Sequence, residues 1–191
     1  MKVGGLWLKD LGRLCGERSG MADALLVIDV QRALVEELTP ERRAAFLGTL
    51  APLLERARGT GVPIVYVRHD GGPDELTAGT PDWEIAGEIA PREGEPIVDK
   101  RFGDAFVETN LAEVLAGLEA ERIVATGMQT DYCVAATIRG AGERGYPVTL
   151  VTDAHATFPS GGRSEEAIRE EVHREALARG VRLVGAAELF A

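Results

Sequence analysis

Six short runs rich in valine, isoleucine and leucine recur along the chain, and they constrain its fold more than any other feature. They lie at residues 24–29, 62–68, 96–99, 122–126, 147–152 and 181–184. Continuous apolar runs of this length are typical of strands that are buried on both faces of a parallel sheet. Because helical patterns lie between most of the runs, the sequence predicts right-handed βαβ units and an α/β fold.

The segment after the first strand carries a clear helix signal. Thr39 precedes Pro40, which predicts an N-cap followed by proline at the first helical position. Pro52 lies farther along the same segment, where proline removes a backbone donor and crowds the preceding turn. We therefore predict a kink at Pro52 or a break into two helices.

The first twenty residues differ in character from the rest of the chain. They contain basic residues and one apolar patch at residues 4–8, whereas a secretory signal needs roughly 7–15 apolar residues. No run in the sequence approaches the roughly 18 apolar residues of a membrane span. We predict a poorly ordered N-terminal extension at residues 1–20 and a single domain at residues 21–191.

Composition limits the partners and the compartment. The formal net charge of −10 argues against nucleic acid and anionic membranes as partners. The two cysteines, Cys15 and Cys133, exclude a disulfide scaffold and fit a reducing compartment, so a cytoplasmic location is predicted.

One connection is unusually long. Residues 70–94 hold five glycines and three prolines, with at most a short helical turn at residues 83–90. Long connections in compact domains are usually functional or disordered. Because Trp83 and Ile85 would be costly to expose, we predict an ordered flap rather than a loose linker.

Polar side chains stand where the predicted strands end. Ligands of open parallel sheets bind at the carboxyl ends of the strands, so these residues are the candidates for chemistry. They are Asp29, His69, Asp70, Asp99, Lys100, the segment 126–133, Asp153 and His155. We expect His155 to tie its loop to neighbouring segments, and we expect His173, on a charged helix, to be solvated.

Cys133 is the most informative of these residues. Thr130 is predicted to cap a helix that places Cys133 in its first turn, where the positive helix end lowers a thiol pKa. Asp29 and Asp131 would oppose that effect if they are ionised and close. Position alone leaves two interpretations open, a catalytic thiolate and a buried inert thiol.

Asp29 and Lys100 pose a related question. A carboxylate at the end of an apolar strand needs a partner if it is buried, and a buried lysine has the same need. The two residues satisfy each other if they meet beside Cys133, with Asp29 as base and Lys100 as an electrostatic support. A surface ion pair at the mouths of two loops is the alternative.

Three segments together resemble the signature motifs of the isochorismatase-like cysteine hydrolases. They are residues 26–31 (Leu-Val-Ile-Asp-Val-Gln), 98–102 (Val-Asp-Lys-Arg-Phe) and 127–137 (Gly-Met-Gln-Thr-Asp-Tyr-Cys-Val-Ala-Ala-Thr). Their order and spacing also agree, and the resemblance covers about residues 23–190. Any one segment alone would be a weak signal, but the combination is specific.

This resemblance implies a three-layer α/β/α fold around a six-stranded parallel sheet with strand order 3-2-1-4-5-6. It implies a catalytic triad of Asp29, Lys100 and Cys133, in which Asp29 and Cys133 flank the topological switch point. It also implies a cis peptide between Met128 and Gln129, which aims the Gln129 amide, together with that of Cys133, into an oxyanion hole.

Further site residues are predicted around this triad. The residues expected to bind substrate are Gln31, His69, Trp83, Phe102 and Tyr132. Arg68 and Arg101 give a weak indication that the substrate carries a carboxylate.

The resemblance also implies a reaction class. Family members that cleave a vinyl ether typically lack the cysteine, so Cys133 favours hydrolysis of a C–N bond in an amide, lactam or carbamoyl group through an acyl-enzyme. Ether cleavage of the isochorismatase type, a redox-sensing thiol and a non-catalytic family member are the alternatives.

No metal and no cofactor are expected. Nicotinamidases of this family carry an Asp-x-His metal motif after the second strand, where this chain has Arg68-His69-Asp70. The first strand–helix turn, residues 29–34, lacks the glycine-rich loop of a dinucleotide-binding oxidoreductase. A homodimer or higher homo-oligomer is expected.

Overall fold

A six-stranded parallel sheet forms the centre of the molecule. The computed structural model describes residues 23–72 and 76–190, and the predicted extension at residues 1–20 lies outside this part of the chain. The strand order is β3-β2-β1-β4-β5-β6, and every pair of neighbours is parallel. The predicted fold class and strand order are thus confirmed. The strands are β1 (Asp23–Ile28), β2 (Ile64–His69), β3 (Ile97–Lys100), β4 (Arg122–Met128), β5 (Val148–Ala156) and β6 (Arg182–Val184).

Helices cover both faces of the sheet. They are α1 (Arg32–Glu37), α2 (Pro40–Thr60), α3 (Leu111–Gly117), α4 (Ala135–Glu143) and α5 (Glu165–Ala178), with a π-helical turn at Thr130–Val134 and 3₁₀ turns at Pro81–Trp83, Gly87–Ile89 and Ala186–Glu188. In the part of the chain that the structure describes, none of the helices combines the length and apolar character of a membrane span.

Two hydrophobic clusters make the three layers. Successive side chains of a strand point to opposite faces. Leu25 and Val27 of β1 accordingly pack with α2, whereas Leu26 and Ile28 pack with residues of α3, α4 and α5. All four side chains are fully buried, which explains why the first strand is a continuous apolar run.

Helix α2 begins as predicted but does not break. Thr39 is its N-cap and accepts a hydrogen bond from the Arg42 amide, with Pro40 at the first helical position. Of the two predicted alternatives at Pro52, the break is wrong, because one helix runs from Pro40 to Thr60, and the kink stays a prediction. Buried leucines precede and follow Pro52 on the face toward the sheet, so tertiary packing holds the helix together across the proline.

The connection between β2 and β3 packs against the first of these clusters. Trp83, Ile85 and Ile89 are buried, and Ile85 forms an isolated antiparallel bridge with Gln31. Over residues 76–94 the flap is therefore ordered, as predicted. Its packing places it beside the carboxyl ends of β1 and β2.

The chain turns in opposite directions from the two central strands, β1 and β4. This arrangement opens a crevice at their carboxyl ends. The two strands approach closely here, since a Cβ atom at Gly127 would lie 1.9 Å from the carbonyl oxygen of Ile28. Gly127 also has a φ of 123°, so only glycine fits at this point of β4.

Candidate active site

Four side chains converge at this crevice, each from the end of a different strand. Asp29 follows β1, His69 ends β2, Lys100 ends β3, and Cys133 lies in the π-helical turn that follows β4. The parallel sheet aligns these strand ends at one edge. The structure thus brings together the three residues of the predicted triad.

Lys100 lies at the centre of the group. Its side chain is fully buried, and its Nζ atom lies 2.7 Å from Oδ2 of Asp29 and 3.1 Å from Sγ of Cys133. Nζ also lies 3.2 Å from Nδ1 of His69 and 3.1 Å from the carbonyl oxygen of Phe102. An ammonium group has only donors, so Nδ1 of His69 accepts this hydrogen bond. Lys100 therefore contacts the carboxylate of Asp29, the thiol of Cys133 and the imidazole of His69.

Asp29 has an uncommon backbone conformation. Its φ is 50°, in the left-handed region that aspartate and asparagine enter more readily than most other side chains. Its side chain is 2% exposed, and Oδ1 has no hydrogen-bond partner among residues 23–72 and 76–190. Burial raises the pKa of Asp29 above its usual range, although the charge of Lys100 acts in the opposite direction. A carboxylate in this state is a stronger base than an exposed one.

Burial and the negative charge of Asp29 together raise the pKa of the Cys133 thiol to about 12, against the opposing effect of Lys100. Burial alone would lower the pKa of Lys100, but Asp29 and Cys133 raise it above its usual value. At neutral pH the Cys133 thiol is therefore protonated and Lys100 is an ammonium. The lowered thiol pKa predicted from the helix end is wrong, because burial and Asp29 outweigh the helix.

A cavity of about 540 Å³ opens above this group. Of the predicted site residues, Asp29, His69, Gln129, Tyr132 and Cys133 line it. Ala33 and Glu37 of α1 and Leu76 of the flap also line it, and sequence reasoning missed all three. The position of Ala33 and Glu37 in the chain could have identified them, because α1 follows directly after the strand end that carries Asp29.

Two predicted substrate-binding residues have other partners. Gln31 is fully buried, and its amide donates to the carbonyl oxygens of His69 (3.0 Å) and Trp83 (2.8 Å) and accepts from the His69 amide (2.8 Å). Trp83 is buried under Arg68, whose guanidinium carbon lies 3.6 Å from the ring centroid. Gln31 thus positions His69 and the flap.

Phe102 is 45% exposed, but it lines a separate depression with Asp70, Asp99 and Arg101. The nearby arginines are paired with acids. Arg68 lies 2.8 Å from Asp99, and Arg101 lies 3.2 Å from Asp70. Neither arginine lines the cavity above the triad. The indication that they bind a substrate carboxylate is therefore wrong.

The turn that carries Cys133 is held by β5 and the residue after it. The Met128–Gln129 peptide is cis. Thr130 does not cap the helix as predicted; its Oγ1 lies 2.8 Å from Nδ1 of His155 instead. Oγ1 of Thr157 donates to the carboxylate of Asp131, at 2.5 Å. These two contacts connect the turn with β5, and His155 has the tying role that was predicted for it.

His173 is not solvated as the charged helix pattern predicted. Its Nε2 lies 2.9 Å from Nε2 of His155, and the two rings meet edge to face. Burial, together with the charges of His173 and Arg169, lowers the pKa of His155 to about 3. His155 is consequently neutral at physiological pH.

We expect this histidine to make folding stability depend on pH. The unfolded chain binds a proton at His155 below pH about 6.5, whereas the folded protein does not until pH about 3. The free energy of unfolding should therefore fall by about 1.4 kcal/mol per pH unit from this group as the pH decreases across that interval. Urea unfolding of the wild type and His155→Gln between pH 4 and pH 7 measures the difference. A pH-independent difference would contradict this prediction.

The site also contains a set of potential metal ligands. A carboxylate oxygen of Asp29, a ring nitrogen of His69 and Sγ of Cys133 lie within 4.8 Å of one another. However, the ammonium group of Lys100 already contacts all three residues. A metal ion bound by this set would face a fixed positive charge at contact distance, so these residues do not fit a metal.

Comparison with known proteins gives a consistent result. The family model described as "Isochorismatase domain" matches residues 23–185. A streptothricin hydrolase of Streptomyces noursei is 40% identical over 138 residues, which cover 71% of this chain and 50% of that protein. Nicotinamidase 3 of Arabidopsis thaliana is 31% identical over 150 residues, which cover 71% of this chain and 73% of that protein. The matched region spans about half the length of the streptothricin hydrolases.

Solved structures share the fold. A cysteine hydrolase from Pseudomonas syringae pv. phaseolicola matches with a TM-score of 0.78 at 26% identity, over 88% of this chain and 90% of the other. An isochorismatase from Pseudomonas putida matches with a TM-score of 0.80 at 28% identity, over 93% of this chain and 96% of the other.

Proposed function

The chain belongs to the isochorismatase family of hydrolases, and from this premise we propose that it is a cysteine-dependent amidohydrolase. Its substrate is a small molecule with an amide, lactam or carbamoyl group, and the bond cleaved is C–N. The observation that carries this proposal is the contact of one buried ammonium group, Lys100 Nζ, with both Asp29 and Cys133 at the floor of a cavity.

The raised thiol pKa determines how the first step proceeds. Asp29 accepts the proton of Cys133 as Sγ attacks the carbonyl carbon, so the thiolate forms only during the attack. The carbonyl oxygen becomes an oxyanion, and we assign its binding to the backbone amides of Gln129 and Cys133. The Lys100 ammonium stabilises the negative charge shared by Asp29 and Cys133 throughout this transfer.

The remaining steps release the two products and regenerate the carboxylate of Asp29 and the thiol of Cys133. Collapse of the intermediate breaks the C–N bond, and the departing nitrogen takes the proton from Asp29, which leaves a thioester on Cys133. Asp29 then removes a proton from water, whose oxygen attacks the thioester carbon. The acid leaves as Cys133 regains a proton. Each step uses the same three side chains.

A substrate panel tests the proposal. The panel contains small amides, lactams and ureido compounds, with streptothricin and nicotinamide included because relatives are named for them. We expect turnover of at least one compound by the wild type and none by Cys133→Ala, and a thioester mass adduct on Cys133 after rapid acid quench. Activity should survive chelation by EDTA, because Lys100 holds the position a metal would need. Turnover of isochorismate alone would favour ether hydrolysis instead.

A further inference from the structure

Among the described residues that line the cavity, acidic side chains are not balanced by lysine or arginine. Asp29, on the cavity floor, is neutralised by Lys100 at 2.7 Å. Glu37, at the end of α1, is exposed and forms no ion pair or hydrogen bond with any described residue. Among the described lining residues there is no lysine or arginine. The accessible wall therefore carries an uncompensated negative charge.

Among residues 23–72 and 76–190, Lys100, Arg68 and Arg101 do not correct this imbalance. The side chain of Lys100 is fully buried and already has four contacts. Arg68 and Arg101 lie outside the cavity and are paired with carboxylates. A substrate with a carboxylate would face Glu37 without a counter-charge, and like charges at short range oppose binding.

The same cavity offers a second group that suits a cation. Tyr132 lines it and is 59% exposed, so an accessible aromatic ring lies beside Cys133 in the chain. Aromatic faces attract ammonium and guanidinium groups. The net charge of the chain, −10, also favours the approach of positively charged ligands.

We infer that the cavity selects an amide whose remainder carries a positive charge, and that Glu37 is the residue that determines this specificity. The inference rests on the proposed amidohydrolase function for the identity of the reaction. The charge preference itself is a property of the cavity and is measurable without turnover.

Charged thiol reagents test the preference directly at Cys133. The reagents are the methanethiosulfonates with a trimethylammonium-ethyl or a sulfonatoethyl group, and the parent protein is Cys15→Ser, so that Cys133 is the only thiol. Each reaction forms a disulfide on Cys133 and releases methanesulfinate. The rate with the cationic reagent is divided by the rate with the anionic reagent, and this ratio is then divided by the same ratio for a small free thiol. Both reagents react with the same thiolate of Cys133, so the thiolate fraction cancels and the normalised ratio reports the charge of the cavity.

We expect this normalised ratio to favour the cationic reagent in the parent. It should fall by about three- to tenfold in Glu37→Gln, reverse in Glu37→Lys, and shrink as salt is added. Glu36→Gln is the matched control, because Glu36 is exposed on the same helix but pairs with Arg32 at 3.0 Å and does not line the cavity. An unchanged ratio in Glu37→Gln, or a parent without preference, would overturn the inference.

A matched amide series extends the test to catalysis. Three amides with the same scaffold and an ammonium, a hydroxyl or a carboxylate tail are compared by kcat/KM. We expect the ammonium compound to be preferred by the wild type, and the preference to weaken in Glu37→Gln through KM. If no amide is hydrolysed while the reagent ratio behaves as expected, the proposed function fails and the charge preference stands. If amides are hydrolysed without any charge preference, the proposed function stands and the inferred charge preference fails.

Discussion

Replacing Cys133 by serine is expected to reduce kcat by at least about 1,000-fold while the fold persists. A hydroxyl is far harder to deprotonate than a thiol, and Asp29 is a carboxylate that cannot remove its proton efficiently. The isosteric change leaves packing in place, since Cys133 is only partly buried among the side chains around it. Turnover of a compound found in the substrate panel and thermal unfolding of the variant are the two measurements.

The control for this experiment is Cys15→Ser, which makes the same chemical change at the other cysteine. We expect it to retain full turnover. A redox-sensing role for Cys133 makes a different prediction, namely that peroxide oxidises this thiol rapidly while amide turnover is absent in every variant. Wild-type turnover in Cys133→Ser would show that another group is the nucleophile.

The second large effect is expected for Asp29→Asn, in which turnover and thiol reactivity should change in opposite directions. The variant lacks the general base, so kcat should fall by about 100-fold or more. It also lacks the negative charge that helps raise the pKa of Cys133, and Lys100 then has only the thiol as an anionic partner. The thiolate fraction at neutral pH should therefore increase, and alkylation by iodoacetamide should become at least about tenfold faster.

The pH dependence of alkylation separates this explanation from a general opening of the site. In the wild type the rate should keep rising with pH up to about pH 10, because the pKa of Cys133 is raised to about 12. In Asp29→Asn the rise should level off at a lower pH. Asparagine suits the φ of 50° at this position, so the backbone need not move.

Lys100→Gln provides the matched comparison, because it removes the opposite charge of the same ion pair. The Lys100 ammonium lowers the pKa of both Asp29 and Cys133, so both values should rise without it. Alkylation should then be slower than in the wild type, and turnover should also fall. Equal alkylation rates in all three proteins would show that the charges of Asp29 and Lys100 do not control Cys133.

Several features of the molecule could be predicted from local sequence alone. The strands are apolar runs because both faces of the sheet are covered, and the cap at Thr39 and Pro40 depends on residues adjacent in the chain. The convergence of Asp29, Lys100 and Cys133 was also predictable, because a parallel sheet brings the ends of its strands to one edge. These inferences need only periodicity and topology.

Other features depend on distances between segments far apart in the chain. The sign of the pKa shift at Cys133 is decided by burial and by Asp29, 104 positions earlier in the sequence. Arg68 was a candidate to bind a substrate carboxylate in the sequence, but in the structure it forms an ion pair with Asp99 instead.

The sequence by itself determined the type of fold and the order of the motifs, because both follow from local pattern, and its resemblance to a known family identified Asp29, Lys100 and Cys133 as the candidate triad. Only the tertiary structure decided that the thiol of Cys133 is protonated and that the Gln31 side chain hydrogen-bonds to backbone groups. It also decided that the charge of Glu37 in the cavity wall has no partner among the described residues. Electrostatic energies and hydrogen bonds vary steeply with distance and burial, and local sequence patterns specify neither.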